Sequence, residues 1–198
     1  MPSREFAVDA AKLNLRIEAV ASEVEGESER AAVILGVAEI DQALRDLLES
    51  FFLPPSAASK KYGFTLFGQD EPAGTLSARI ELAYRAGLIP AWCQREAHVL
   101  RRIRNEFAHK TLAYTLASSP ARELLLTLEM PKRTQAAAKR GEFPRNYWKK
   151  PKNLFAVSAL AVVAEIVSAH SNVLDQQTTP IQPCKRRVRF ESTGQVLE

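Results

Sequence analysis

Apolar residues recur along this chain at the three- and four-residue steps of amphipathic helices. The clearest run is the second predicted helix, over residues 31–53, whose apolar positions alternate steps of four and three: Val33, Val37, Ile40, Leu44, Leu47 and Phe51. Pro54 and Pro55 end it, because proline cannot continue an α-helix. A seam of this kind predicts a helix that packs into a bundle.

Four or five further helices follow from the same reasoning. An N-terminal helix ends at Gly26 and carries the apolar positions Leu13, Ile17, Val20 and Val24. A third helix is predicted over 75–87 with Gly87 as its C-terminal cap, and Pro90 fits the first turn of a fourth. A short fifth helix opens at Ser119-Pro120 and is closed by Pro131.

The last predicted helix, over 154–171, is apolar nearly all round, which predicts a place at the centre of the bundle. With no convincing strand, the expected fold is all-α: a five- to six-helix bundle with a disordered basic C-terminal tail. The expected organisation is an N-terminal helix and acidic linker (1–29), a helical domain (30–171) with a basic, aromatic loop at 131–152, and the tail (172–198).

Charge is distributed unevenly. The net charge is +4, but residues 1–60 carry eleven acidic and six basic side chains, whereas residues 131–198 carry twelve basic and five acidic ones. This asymmetry favours either an anionic partner for the C-terminal part or pairing of the two ends.

Several classes of protein are disfavoured. Cys93 and Cys184 stand alone, which argues against a disulfide framework or a metal site. No signal peptide is apparent, and the longest nearly apolar run, residues 154–167, is too short to span a bilayer. We therefore expect a cytoplasmic protein without membrane contact. The absence of phosphate-binding loops, dinucleotide fingerprints and zinc spacings predicts no cofactor and no metal.

The candidate chemistry lies in the fourth helix, in the stretch from Arg104 to His109. Leu100, Ile103 and Phe107 share one helical face, and a polar row occupies the other: His98, Arg102, Asn105 and His109, with Arg104 on the flank. Histidine exchanges protons near neutral pH and arginine grips phosphates or carboxylates. The row therefore permits catalysis or anion recognition; the alternative is a solvated face whose histidine caps the helix end.

Two basic segments are further candidates for binding nucleic acid or a partner. The loop combines Lys149 and Lys150 with Tyr147 and Trp148, which is typical of a nucleic-acid contact, unless its rings simply pack on the bundle. The tail cluster around Arg186 and Arg187 either binds RNA, DNA or an acidic protein, or keeps the chain soluble.

Acidic residues of the second helix are candidate counter-charges. Glu39, Asp41 and Asp46 are available to pair with Arg79 or Arg104, since a buried arginine needs such a partner.

Three segments together resemble the mannitol-operon repressor family of bacterial proteins. They are the second helix, the block from Gly74 to Ile89 (GTLSARIELAYRAGLI) and the stretch from Leu100 to His109 (LRRIRNEFAH). The resemblance covers about residues 30–170. It implies an α-helical regulator of transcription that lacks a DNA-binding motif and acts through a protein partner.

The fourth helix is also similar to the HEPN superfamily of helical bundles, through an Arg-x4–6-His motif. Arg104, Asn105 and His109 fit this pattern. The similarity implies a homodimer that binds RNA or cuts it without a metal. Such cleavage needs proton transfer and a cation on the phosphate, and here His109 would supply the proton transfer, Arg104 the charge and Asn105 a positioning hydrogen bond. Whether the chain is an enzyme stays open at this point.

Overall fold

The computed structural model describes residues 26–57, 61, 63, 65–68, 70–111, 113–138 and 147–176. Within these ranges the chain forms six α-helices, one 3₁₀ turn at Tyr147–Lys149 and no strand. The helices are α1 (Glu29–Phe51), α2 (Leu76–Arg85), α3 (Ala91–His109), α4 (Ala121–Thr127), α5 (Met130–Ala138) and α6 (Pro151–Gln176). The all-α bundle is confirmed. The predicted N-terminal helix lies outside the described residues.

Helix α1 begins two residues earlier than predicted because Ser28 caps it. The hydroxyl of Ser28 accepts a hydrogen bond from Ala31 N (3.2 Å), which satisfies one of the free N–H groups of the first turn. The predicted seam is buried from Val33 to Leu47. The helix ends at Phe51, just before the two prolines.

Helices α1 and α6 pack closely against each other. A Cβ atom on Gly36 would lie 3.1 Å from Cε1 of Phe155 and 3.5 Å from Cβ of Ala159, so a larger residue at this position would require the Phe155 ring to shift by a few tenths of an ångström. Ala32, one turn earlier, packs against Ala156 and Leu160. Helix α6 also contacts α3, α4 and α5.

Helix α2 is held to α1 by a buried ion pair. Arg79 donates from Nε to Oδ1 of Asp41 (2.8 Å) and from Nη2 to Oδ2 (3.0 Å), and its Nη1 donates to Ala73 O (2.6 Å). Of the three candidate acids, Asp41 is thus the partner of Arg79. Thr75 caps the helix start, and Gly87 follows the helix with φ +73°, as a C-terminal glycine should.

The predictions around Pro131 were wrong. Helix α4 already ends at Thr127, and Pro131 lies in the first turn of α5, where its missing N–H costs no hydrogen bond. The predicted loop at 131–152 is therefore helical over its first eight residues and forms a 3₁₀ turn near its end.

Helix α6 differs from its prediction in two ways. It continues to Gln176, so residues 172–176, assigned to the tail, are helical; residues 177–198 lie outside the described part. It also buries one face only: within its most apolar stretch of 18 residues, 33% of the residues are buried in the bundle. By length and composition alone this helix could cross a membrane.

Candidate functional site

Helix α3 carries the candidate residues, and its C-terminal end is held in place by Arg30 of α1. The guanidinium of Arg30 donates to the carbonyl oxygens of Phe107, Lys110 (3.2 Å) and Thr111 (2.6 Å). It also lies over the Phe107 ring, 5.6 Å from the centroid. The last carbonyls of a helix lack partners within the helix and carry partial negative charge, so a cation stabilises this end.

Arg104, Asn105 and His109 differ in exposure, but their side chains all lack partners among the described residues. Arg104 and Asn105 are half-buried, and His109, the last residue of α3, is exposed. Among the residues that the structure describes, none of these three side chains makes a hydrogen bond or an ion pair. They are therefore free to engage a ligand or another protein.

Two further arginines extend this set. Arg102 is exposed, and Arg101 is half-buried with an Nε atom that is buried and has no hydrogen-bond partner. Arg101 was missed by the sequence analysis, although its spacing of four residues from Asn105 places both on one flank of the helix. We call Arg101, Arg102, Arg104, Asn105 and His109 the α3 polar row.

His98, by contrast, is already engaged with α2 and does not belong to this row. Its Nε2 lies 2.9 Å from Oε1 of Glu81, and Gln94 donates to the same oxygen (2.8 Å). The hydrogen bond from His98 is the main reason why the pKa of Glu81 is lowered. His98 and His109 thus serve separate sites.

The basic segment before α6 lies at the same end of the bundle as His109. Lys152 Nζ donates to Glu27 O, and Arg30, three residues further on, binds the end of α3. Lys149 and Lys150 are exposed, and the half-buried Tyr147 accepts a hydrogen bond from Asn153 through its carbonyl oxygen (2.9 Å). The side chain of Trp148, and Arg186 and Arg187, lie outside the described part.

A buried carboxyl group on α3 was not anticipated. Oε1 of Glu96 accepts a hydrogen bond from Glu129 N (2.6 Å) at the start of α5, while its Oε2 and the hydroxyl of Ser158 are buried without a partner. Burial raises the pKa of Glu96. It is a structural cap for α5, and no sequence pattern marks it because its partners come from distant segments.

Cys93, the cysteine among the described residues, is buried. Burial raises the pKa of the Cys93 thiol to about 12, which keeps it protonated and unreactive. Within the residues described, no three His, Cys, Asp or Glu side chains are grouped so that they could hold a metal ion.

Two clefts lie apart from the α3 polar row. One, of about 490 Å³, lies beyond the end of α1 and is lined by Phe52, Leu53 and Phe67 among others. The other, of about 380 Å³, lies between α3 and the α4–α5 turn, where Arg95 pairs with Glu129. Neither includes a residue of the row.

Comparison with known proteins establishes the fold. No family model matches the chain, and no curated protein matches it in sequence. MtlR in the MtlR–HPr complex from Escherichia coli is similar in structure, with 20% identity and a TM-score of 0.58 over 76% of this chain and 98% of that one. A possible transcriptional regulator, YggD from Shigella flexneri, matches with 13% identity and a TM-score of 0.53 over 79% and 96%. The chain thus shares the helical fold of these two proteins.

Proposed function

We propose that this chain is a cytoplasmic bacterial regulator that modulates transcription by binding an acidic protein partner through the α3 polar row. The observation that carries the proposal is the absence of partners for this row among the described residues. The fold shared with MtlR, which was solved with the protein HPr, and with a possible transcriptional regulator, supports a regulatory role.

The electrostatics of the row favour an anionic partner. Three arginines and one histidine occupy nine residues of α3, and Glu106 is the acidic residue between them. The buried, unpartnered Nε of Arg101 has lost its hydration without gaining a hydrogen bond. A carboxylate of a partner protein would pair with the exposed guanidinium of Arg102, and arginine–carboxylate pairs are among the strong hydrogen bonds of interfaces.

Binding to HPr tests the proposal directly. We expect the full chain to bind purified HPr in calorimetry, and Arg104→Ala or Arg102→Ala to weaken this binding at least tenfold. Arg45→Ala is the matched control, because Arg45 is also a half-exposed arginine but lies 15 residues along α1 from Arg30, about 22 Å at the helical rise. Equal affinities for all variants would contradict the proposed role of the row, and no binding of HPr would exclude HPr as the partner.

A DNA-binding assay tests whether the chain regulates transcription without binding DNA itself. No helix-turn-helix is apparent in the sequence, so we expect the full chain to leave DNA mobility unchanged at physiological salt. Sequence-specific retardation of an operator fragment by the chain alone would contradict action through a partner.

A second candidate, metal-independent RNA cleavage by a homodimer, is favoured by the free Arg104, Asn105 and His109. Helix α3 is regular through His109, so Arg104 and His109, five residues apart, are turned about 140° from each other. One chain therefore does not bring both onto one phosphate, and a second copy has to complete the site.

An RNA-cleavage assay separates this candidate from the first. Under it, Arg104→Ala and His109→Ala both abolish cleavage of a mixed RNA pool, and a chelator has no effect. Both variants keep their Tm within a few degrees, as substitutions outside the core usually do. RNA that stays intact with freshly purified protein eliminates the nuclease and leaves the partner-binding role.

A further inference from the structure

Helix α6 carries an apolar stripe that the described bundle covers only in part. Between Lys152 and Asp175 it contains one acidic or basic residue, Glu165, apart from His170. Ala156, Leu160, Ala164 and Val167 are spaced at i, i+4, i+8 and i+11, so they share one side of the helix, and each is only half-buried. A solvated helix face normally carries charged residues, so this stripe requires a cover.

Helix α1 continues the same surface. Ala32 packs against Ala156 and Leu160, and Leu35, one turn further along the same flank, is 36% exposed. We call Leu35, Ala156, Leu160, Ala164 and Val167 the α1–α6 face.

The chain itself supplies an occupant of matching shape. Residues 1–25 directly precede α1, and their apolar positions Leu13, Ile17, Val20 and Val24 predict one helical stripe. The backbone of Gly26 is helical, and Lys152 Nζ binds the carbonyl oxygen of Glu27. The segment therefore joins the described bundle beside the first turn of α6, at one end of the α1–α6 face.

We propose that the N-terminal segment forms an amphipathic helix that packs antiparallel on the α1–α6 face. Both stripes span twelve residues, from Leu13 to Val24 and from Ala156 to Val167, and eleven helical rises make each about 16 Å long. If Val24 lies next to Ala156, the two antiparallel helices advance by the same rise per residue. Val20 then lies opposite Leu160, and Leu13 lies near Val167.

Covalent attachment gives the segment a high effective concentration at the face, which favours it over a second copy or a lipid surface.

Disulfide cross-linking tests the register. Val20→Cys and Leu160→Cys are combined with Cys184→Ser in the full chain; the buried Cys93, whose thiol pKa is about 12, stays unreactive. We expect oxidation to give an intrachain disulfide that migrates as a monomer on non-reducing gels, because facing positions meet the distance that a disulfide needs. Ser22→Cys replaces Val20→Cys in the control, since Ser22 lies on the opposite side of the predicted helix, and it should not cross-link. A disulfide between chains, or equal cross-linking of both pairs, would overturn the proposal.

Stability gives an independent measurement. Ile17→Asp places a charge in the proposed contact and should lower Tm by roughly 5 °C or more, whereas Ser22→Asp should change it by less than about 2 °C. Equal Tm values for the two variants, or sedimentation of the unmodified chain with phosphatidylcholine vesicles, would show that the segment does not cover the face.

Discussion

Removal of the Asp41 carboxylate should destabilise the bundle strongly. The side chain of Arg79 is 9% exposed and that of Asp41 is 35% exposed. Asp41→Ala would leave the buried guanidinium with the Ala73 carbonyl as its remaining partner. Breaking a fully buried pair costs about 3–5 kcal/mol, and the partial exposure of Asp41 reduces this to about 2–3 kcal/mol because water screens the charge.

Urea unfolding followed by circular dichroism measures this loss. For a chain of this size, about 2–3 kcal/mol corresponds to a decrease in Tm of roughly 5–10 °C. The matched control is Glu49→Ala, which removes the carboxylate of the Arg45–Glu49 pair on the same helix. That pair has the same kind of contact at 2.8 Å, but its side chains are 47% and 48% exposed, so the expected loss is below about 0.5 kcal/mol.

A double variant identifies the cause. Asp41→Leu with Arg79→Leu removes both charges, so no buried charge is left unpaired, and we expect it to be more stable than Asp41→Ala. If Asp41→Ala and Glu49→Ala lower the free energy of unfolding equally, burial does not determine how much the Arg79–Asp41 pair contributes, and this prediction is wrong.

Three smaller changes test other parts of the bundle. Burial raises the pKa of the Glu96 carboxyl above its ordinary value of 4.5. The folded state therefore holds the proton more tightly than the unfolded state, and the free energy of unfolding falls as pH rises above 4.5. Glu96→Gln should remove this pH-dependent loss and be more stable than the parent at pH 7, as measured by urea unfolding. Thr75→Ala removes the cap of α2 and should cost about 1 kcal/mol; a Tm equal to that of the parent would contradict the cap. Gly87→Ala places a side chain on a residue with φ +73° and should lower the free energy of unfolding by about 1 kcal/mol. The control is Gly26→Ala: the new methyl group meets open space there and the φ angle is not positive, so the stability should not change.

Local patterns predicted the elements well where neighbouring residues determine them. The seam of α1 and the glycine after α2 depend on helical spacing and on one backbone conformation, and both were correct. Pro131 was assigned to the wrong side of a boundary, because a proline fits the first turn of a helix as well as the segment after one.

Contacts between distant segments could be predicted only as alternatives. Three acids on α1 were candidates for two arginines, and only the packing of α2 shows that Asp41 meets Arg79. The engagement of His98 by Glu81 likewise depends on how α2 lies beside α3. Arg30, which caps α3, is nearly eighty positions from the carbonyl groups it binds. Helical spacing predicts contacts only between residues a few positions apart, so it could not predict this cap.

Arg30 provides the cap at the C-terminal end of α3. One guanidinium binds the last carbonyls of the helix, so the dipole of α3 is compensated from α1, and His109 is not needed as the cap that the alternative interpretation assigned to it. Among the described residues, the side chains of His109 and the neighbouring arginines then have no hydrogen-bond partner. The helix that carries them is already formed and packed, so an interaction there costs the entropy of ordering these side chains but not that of forming the helix.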